Sequence, residues 1–134
     1  WPIPRPISLK NESIDIIRRR GNDIHIGPSF ADTHKGTVAH MRAPQESVEA
    51  MHVPARAAWI VFPRYSAEAA LSAIAVSPCQ ATLKLADDSF NFPLLGKEGF
   101  ELLSDVAFGC DAYELHYNDL DEAIAWFDGL AARG

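Results

Sequence analysis

The stretch AAWIVFPRY, residues 57–65, is the strongest strand signal in the sequence. Trp59, Ile60, Val61 and Phe62 are four large apolar residues in succession, all β-branched or aromatic. Such an unbroken run fits a strand buried on both faces, so it is expected at the centre of a sheet. Pro63 is expected to end its pairing and Arg64 to stand at its exit. Working outward toward the C-terminus, residues 66–76 are Ala-rich and fit a loop or a strand equally well. Ser77, Pro78 and Gln80 then supply an N-cap, a first-turn proline and the third-position partner of a capping box. The helix they open places Cys79, Leu83, Ala86 and Phe90 on one face and is expected to reach about residue 90. "NFP" breaks it, and residues 97–107 read as helix again, weakened at Gly99 and stopped at Gly109. In residues 112–117, Tyr113, Leu115 and Tyr117 alternate with Ala112, Glu114 and His116, as in a strand at or near an edge. Asn118 or Asp119 caps a last helix, with Leu120, Ala123, Ile124, Phe127 and Leu130 on its buried stripe.

Upstream of the central stretch, Pro2, Pro4 and Pro6 keep the chain extended, and residues 7–9 form a short strand. Asn11 suits an N-cap, Glu12 and Asp15 lie in the first turn that follows, and Ile14 and Ile17 share a face. Arg18, Arg19 and Arg20 meet the negative end of that helix before Gly21, which explains them better than an anion site does. "DIHIG", residues 23–27, alternates as a short strand. So do residues 36–41, where Val38 and His40 oppose Thr37, Ala39 and Met41. Residues 43–57 hold one or two helical turns between prolines. Strands and helices are interspersed throughout, and the expected fold class is mixed α/β, a mixed sheet with flanking helices in a single domain spanning residues 1–134.

Composition narrows the function classes. Apolar residues make up 48% and charged residues 22%, which is ordinary for a soluble globular protein. The longest apolar runs are far short of the roughly 20 residues needed to span a bilayer. Net charge is −6 and the three consecutive arginines are the only dense basic cluster, so a nucleic-acid surface is not expected. Cys79 and Cys110 lie in no ligand-like pattern and read as free thiols of a reduced, cytoplasmic protein, a single disulfide being the alternative. The opening "WPIPRP", with no initiating Met, reads as the start of a piece trimmed from something longer.

The densest chemistry is DTHKGTVAHM, residues 32–41. A zinc site is not expected: His34, His40 and His52 have none of the close spacings that put two donors on one helix face. On an extended strand His34 and His40 would stand roughly 20 Å apart. The serines lack a GxSxG elbow, Asp87 and Asp88 read as a solvated surface, and core packing explains Cys79. "THKG" is better suited to an anion, joining the flexible Gly36 to donors on Thr33, His34, Lys35 and Thr37. Lys10 and Arg64 stand at two other strand exits. The three positions form either a shared phosphate-facing rim or three unconnected surface cations, and spacing does not decide between them. A phosphate loop of the GxxxxGK[ST] type is not present in the 134 residues.

Several blocks, in order, resemble the C-terminal half of the HPr kinase-related family A proteins: PRPISLKNESIDIIRR, DTHKGTVAHM, WIVFPRY, DDSFNFPLLGKEGFELL and AYELHYNDLDEAI. These are relatives of bacterial HPr serine kinase/phosphorylase, whose core is similar to that of phosphoenolpyruvate carboxykinase. The resemblance implies the distal half of an ATP-dependent serine kinase core, a transferase using ATP and Mg, with the Walker A loop and the magnesium-handling acids upstream of the PRPISLKN block. It implies that Lys10, Thr33, His34, Lys35, Gly36 and Arg64 face phosphate or substrate, with Lys10, His34, Lys35 and Arg64 supplying electrostatics and Asp32 and Thr33 orienting the loop. No catalytic residue is named among them and no metal ligand. A protein substrate, HPr-like or another small protein, and self-assembly into a homo-oligomer also follow from the resemblance. The alternative is a non-catalytic binding or scaffold module.

Overall fold

The computed structural model describes residues 2–21 and 23–133, a mixed α/β chain that falls into two compact units, Trp1–Ala55 and Arg56–Gly134. In the first unit β1 (Ile7–Lys10) runs straight into α1 (Glu12–Arg18), and β2 (Phe30–Thr33) and β3 (Gly36–Met41) form a hairpin. The sheet order is β1-β3-β2, with both pairs antiparallel. Leu9, Ile14 and Ala39 are its buried centre, with Ile17, Ile26 and Met41 packed around them. The alternation expected in β3 is therefore realised, with Ala39 and Met41 inward and His40 exposed.

Two readings of this unit change. "DIHIG" makes one bridge to β3, Ile26 to Met41, flanked by bonds from Gly27 N to His40 O and from Arg42 N to His25 O. Pro28, with no N–H to donate, follows immediately. β2 was not anticipated, because it carries one extra residue between its pairings Phe30 to Val38 and Thr33 to Gly36. Asp32, with φ of 59°, sits in that bulge, and a bulge erases the two-residue period by which a strand is read. Residues 43–57 hold the expected short turns, α2 (Gln45–Glu49) and one 3₁₀ turn (Ala50–His52).

The second unit contains β4 (Trp59–Tyr65), β5 (Ser72–Val76), α3 (Pro78–Asp87), α4 (Phe92–Phe108), β6 (Asp111–Tyr117) and α5 (Leu120–Ala131). Its sheet order is β4-β6-β5, with β6 parallel to β4 and antiparallel to β5. Helices cover both faces. Ala112 packs with Ala81 of α3 and Ala107 of α4, whereas Tyr113, pointing the other way, meets Trp126 of α5 edge-on at 5.6 Å.

The expected places of two strands are exchanged. The alternating strand β6 is the centre and the apolar strand β4 lies at the side, its Trp59–Phe62 run only half-buried. Pairing also continues past Pro63 as far as Tyr65 with Tyr117, which an outer strand allows because a missing N–H there need not interrupt the ladder. The capping box of α3 forms as read: Ser77 Oγ accepts from Gln80 N, and Ser77 N donates to Gln80 Oε1. The helix ends earlier, at Asp87, and its buried face is different. Ala81 and Thr82 are enclosed and Leu85 packs beside them, while Cys79, Leu83 and Phe90 are exposed. Three alanines meeting at Ala81, Ala107 and Ala112 let the helices approach closely, which a face of leucine and phenylalanine would prevent. Core packing thus does not explain Cys79. "NFP" opens α4 rather than ending α3, with Pro93 in the first turn, and Gly96 (φ 51°) kinks it. Asp119 caps α5 by accepting from the N–H groups of Asp121 and Glu122, and Ala123 and Leu130 are the buried members of its stripe. Among the described residues no helix is long and apolar enough to cross a membrane.

Candidate functional site

Lys10 and the segment Thr33 to Gly36 lie at the same end of the first unit's sheet. The register pairs Lys10 with Val38, so the start of β3 and the turn before it adjoin the end of β1. Asn11 makes that junction. Its carbonyl accepts from Ile14 N to begin α1. Its side-chain Oδ1 accepts from Thr37 N (3.0 Å), while its own N–H donates to Thr37 O (2.9 Å). One residue therefore finishes the ladder with its carboxamide and starts a helix with its backbone. This exchange forces φ to 48°, a conformation that asparagine tolerates better than most residues. Asn11 occupies the N-cap position but does not cap through its side chain. Ser13 clamps the backbone of Lys10 from both sides, accepting from its N–H at 2.8 Å and donating to its carbonyl at 2.7 Å.

"THKG" is a hairpin turn with His34 and Lys35 at its tip. Thr33 Oγ1 accepts from Lys35 N and donates to Gly36 O at 2.6 Å, a local lock that Thr33 was expected to provide. Gly36 has φ of 81°, and a Cβ there would fall on the carboxamide of Asn11. Lys35 N is spent inside the turn, so what the tip offers an anion is chiefly the exposed side chains of His34 and Lys35, with Lys10 on the neighbouring strand.

Arg64 belongs to the second unit, and its charge is already engaged. Its Nε donates to Glu114 Oε1 at 2.8 Å, and Lys84 Nζ reaches the same oxygen at 3.2 Å while lying 5.4 Å from the Phe62 ring centre. Two cations share one carboxylate, leaving a net charge of +1 on a side chain that is 60% exposed at Arg64. The Arg64 hydrogen bond, then that of Lys84, holds the Glu114 carboxyl below its ordinary value of 4.5. The sign follows from linkage: stability from this cluster is fully present above the unfolded value near 4.5 and is lost as pH falls through the lower folded one. In Glu114→Gln the melting temperature is expected to be lower at neutral pH and to depend less on pH below 4.5 than in the parent. Parallel melting curves of the two proteins across that range would contradict this assignment.

Sequence read Asn11 only as an N-cap and Glu114 only as a strand position, and did not pick out Ser13 or Lys84. Ser13, three residues after Lys10, carried a local signal. The Glu114 cluster joins residues 30 and 50 positions apart and carried none. Among the described residues no group of three His, Cys, Asp or Glu side chains could hold a metal ion. Comparison with protein families, with curated proteins and with solved structures yields no match to this chain.

Proposed function

We propose that this chain is the phosphate- and substrate-facing part of an HPr serine kinase-like, ATP-dependent phosphotransferase, and that it does not transfer phosphoryl groups alone. The observation that carries the reading is the clustering of Lys10, His34 and Lys35 at one sheet end, held by the Asn11 and Thr37 bonds. Phosphoryl transfer depends mainly on positioning and charge neutralisation, and three exposed donors on a locked frame are suited to that task. Fitted against the residues present, magnesium-bound ATP lacks a home: the 134 residues include no phosphate loop, and among the described residues no three His, Cys, Asp or Glu side chains come together as a metal site. No chemical step through it is assigned to these residues. Arg64 is the weakest member of the proposed set, because Glu114 competes with any phosphate for it.

Inorganic phosphate titrated into the labelled chain is expected to move the amide signals of Lys10, His34, Lys35 and Gly36 with affinity on the order of millimolar. The response should fall in Lys10→Ala and in Lys35→Ala. Shifts confined to other residues would sink the reading, as would phosphotransfer by this chain that Lys35→Ala abolishes. A second reading, a non-catalytic protein-binding module, draws on the apolar surface left open on α4.

A further inference from the structure

The helix α4 carries more apolar surface than its unit covers. At 100° per residue, residues 99–108 spread apolar side chains over about 240° of the circumference, interrupted by Ser104, against the roughly 100° stripe of an ordinary surface helix. Only the middle of that arc is buried, where Gly99 and Ala107 are enclosed and Leu103 is half-buried. On one flank Leu102 is 58% exposed and Val106 44%, and Leu95, just before the kink, is 49% exposed. This flank opens into a groove of about 280 Å³ whose walls include Phe90, Phe92, Leu95, Gly99, Leu102 and Leu103. Phe90 at its mouth is 99% exposed. A contiguous apolar groove of this kind in a stable chain points to an occupant.

Charge identifies the kind of occupant. Residues 77–109 contain five carboxylates and two lysines. Both lysines are turned to other work, Lys84 to Glu114 and Lys97 to Glu101. Asp88 lines the groove, and Glu98 and Asp105 follow Leu102 directly around the helix, so the rim is acidic. A second copy seated on the same face would set these carboxylates against their own counterparts, which disfavours self-pairing here. We propose that the groove beside α4 receives an amphipathic helix of a protein partner, with leucine-like anchors spaced i, i+3 or i+4, and i+7 and with Lys or Arg along its flanks. The anchors fill the space between Phe90 and Leu102, and the basic flanks meet Asp88, Glu98 and Asp105. Gly99 forms the floor: a Cβ there would press on Leu95, and its absence leaves the groove deep. This inference stands apart from the phosphate reading, since no residue is shared.

The test uses the 134-residue chain and three labelled peptides of about 15 residues: Leu anchors with Lys flanks, Leu anchors with Glu flanks, and Ser in place of Leu with Lys flanks. The Leu–Lys peptide is expected to bind saturably, moving the signals of Leu95, Leu102 and Val106. Leu102→Asp should weaken it about tenfold or more. Glu98→Lys with Asp105→Lys, both exposed positions, should weaken it and turn preference toward the Leu–Glu peptide, which keeps the test decisive if Leu102→Asp folds poorly. Equal binding of the Ser–Lys peptide would overturn the proposal by reducing it to net charge. It would also be overturned by shifts located elsewhere, by indifference to these substitutions, or by a dimer of the chain that Leu102→Asp dissociates.

Discussion

Leu115→Ala is expected to lower the unfolding free energy of the second unit by about 2–5 kcal/mol, the range for truncating a fully buried leucine. Leu115 is 0% exposed and, among the described residues, is the largest side chain that is fully enclosed. It sits on the central strand, paired with Pro63 on one side and Ala73 on the other. Neither neighbour is large enough to fill the space left by an isobutyl group, so the loss combines transfer and cavity terms. The other buried positions of this unit are mostly alanines, which makes Leu115 disproportionate in a thin core. Near-ultraviolet circular dichroism follows the effect, because Trp126 stacks edge-on against Tyr113 two residues away on the same face. A melting transition within about 2 °C of the parent would show that Leu115 does not carry the packing assigned to it.

Gly36→Ala is expected to cost the first unit about 2–4 kcal/mol. Two effects combine. The φ of 81° is open to glycine and strained for alanine, and the new methyl group would displace the Asn11 carboxamide from Thr37 N. Gly36→Ala combined with Asn11→Gly isolates the collision: removing the Asn11 side chain relieves it and the strain at φ 48°, leaving the backbone cost at position 36 and the lost bond to Thr37 N. Amide exchange across Thr37 and Val38 is the measurement. If the double variant were no more stable than Gly36→Ala alone, the collision with Asn11 would not be the cause. Gly36 is thereby given a structural duty beside its place in the candidate site, and loss of phosphate response in Gly36→Ala would not by itself argue for contact with the ligand.

The features readable from sequence were those whose cause lies within a few residues. The capping box of Ser77 and Gln80 and the cap at Asp119 are local hydrogen-bonding arrangements, and α3 and α5 begin beside them; α1 also begins after Asn11 as read, although Asn11 spends its side chain on Thr37, 26 residues away. Thr33 locking its turn belongs to the same class.

Where a partner lies far along the chain, local pattern misled. Trp59 to Phe62 read as central because they are apolar, but sheet position depends on which strand comes to lie beside them, and β6 arrives 52 residues later. Residues 112–117 read as a strand at or near an edge because they alternate, whereas Arg64 and Lys84 supply charge partners to Glu114 within the sheet and from α3. The buried face of α3 was chosen by the fit of Ala81 to Ala107 and Ala112, not by the larger apolar residues that the helical period favours. The sequence by itself determined the mixed α/β composition, the starts of α1, α3 and α5 and the cationic residues of the candidate edge, all governed by near-neighbour sterics and hydrogen bonding. Only the tertiary structure decided which strand is central, which helix face is buried, and that Lys10 and the His34–Lys35 turn share one end of a sheet. These depend on long-range packing, where complementary shape and paired charge outweigh local hydrophobicity.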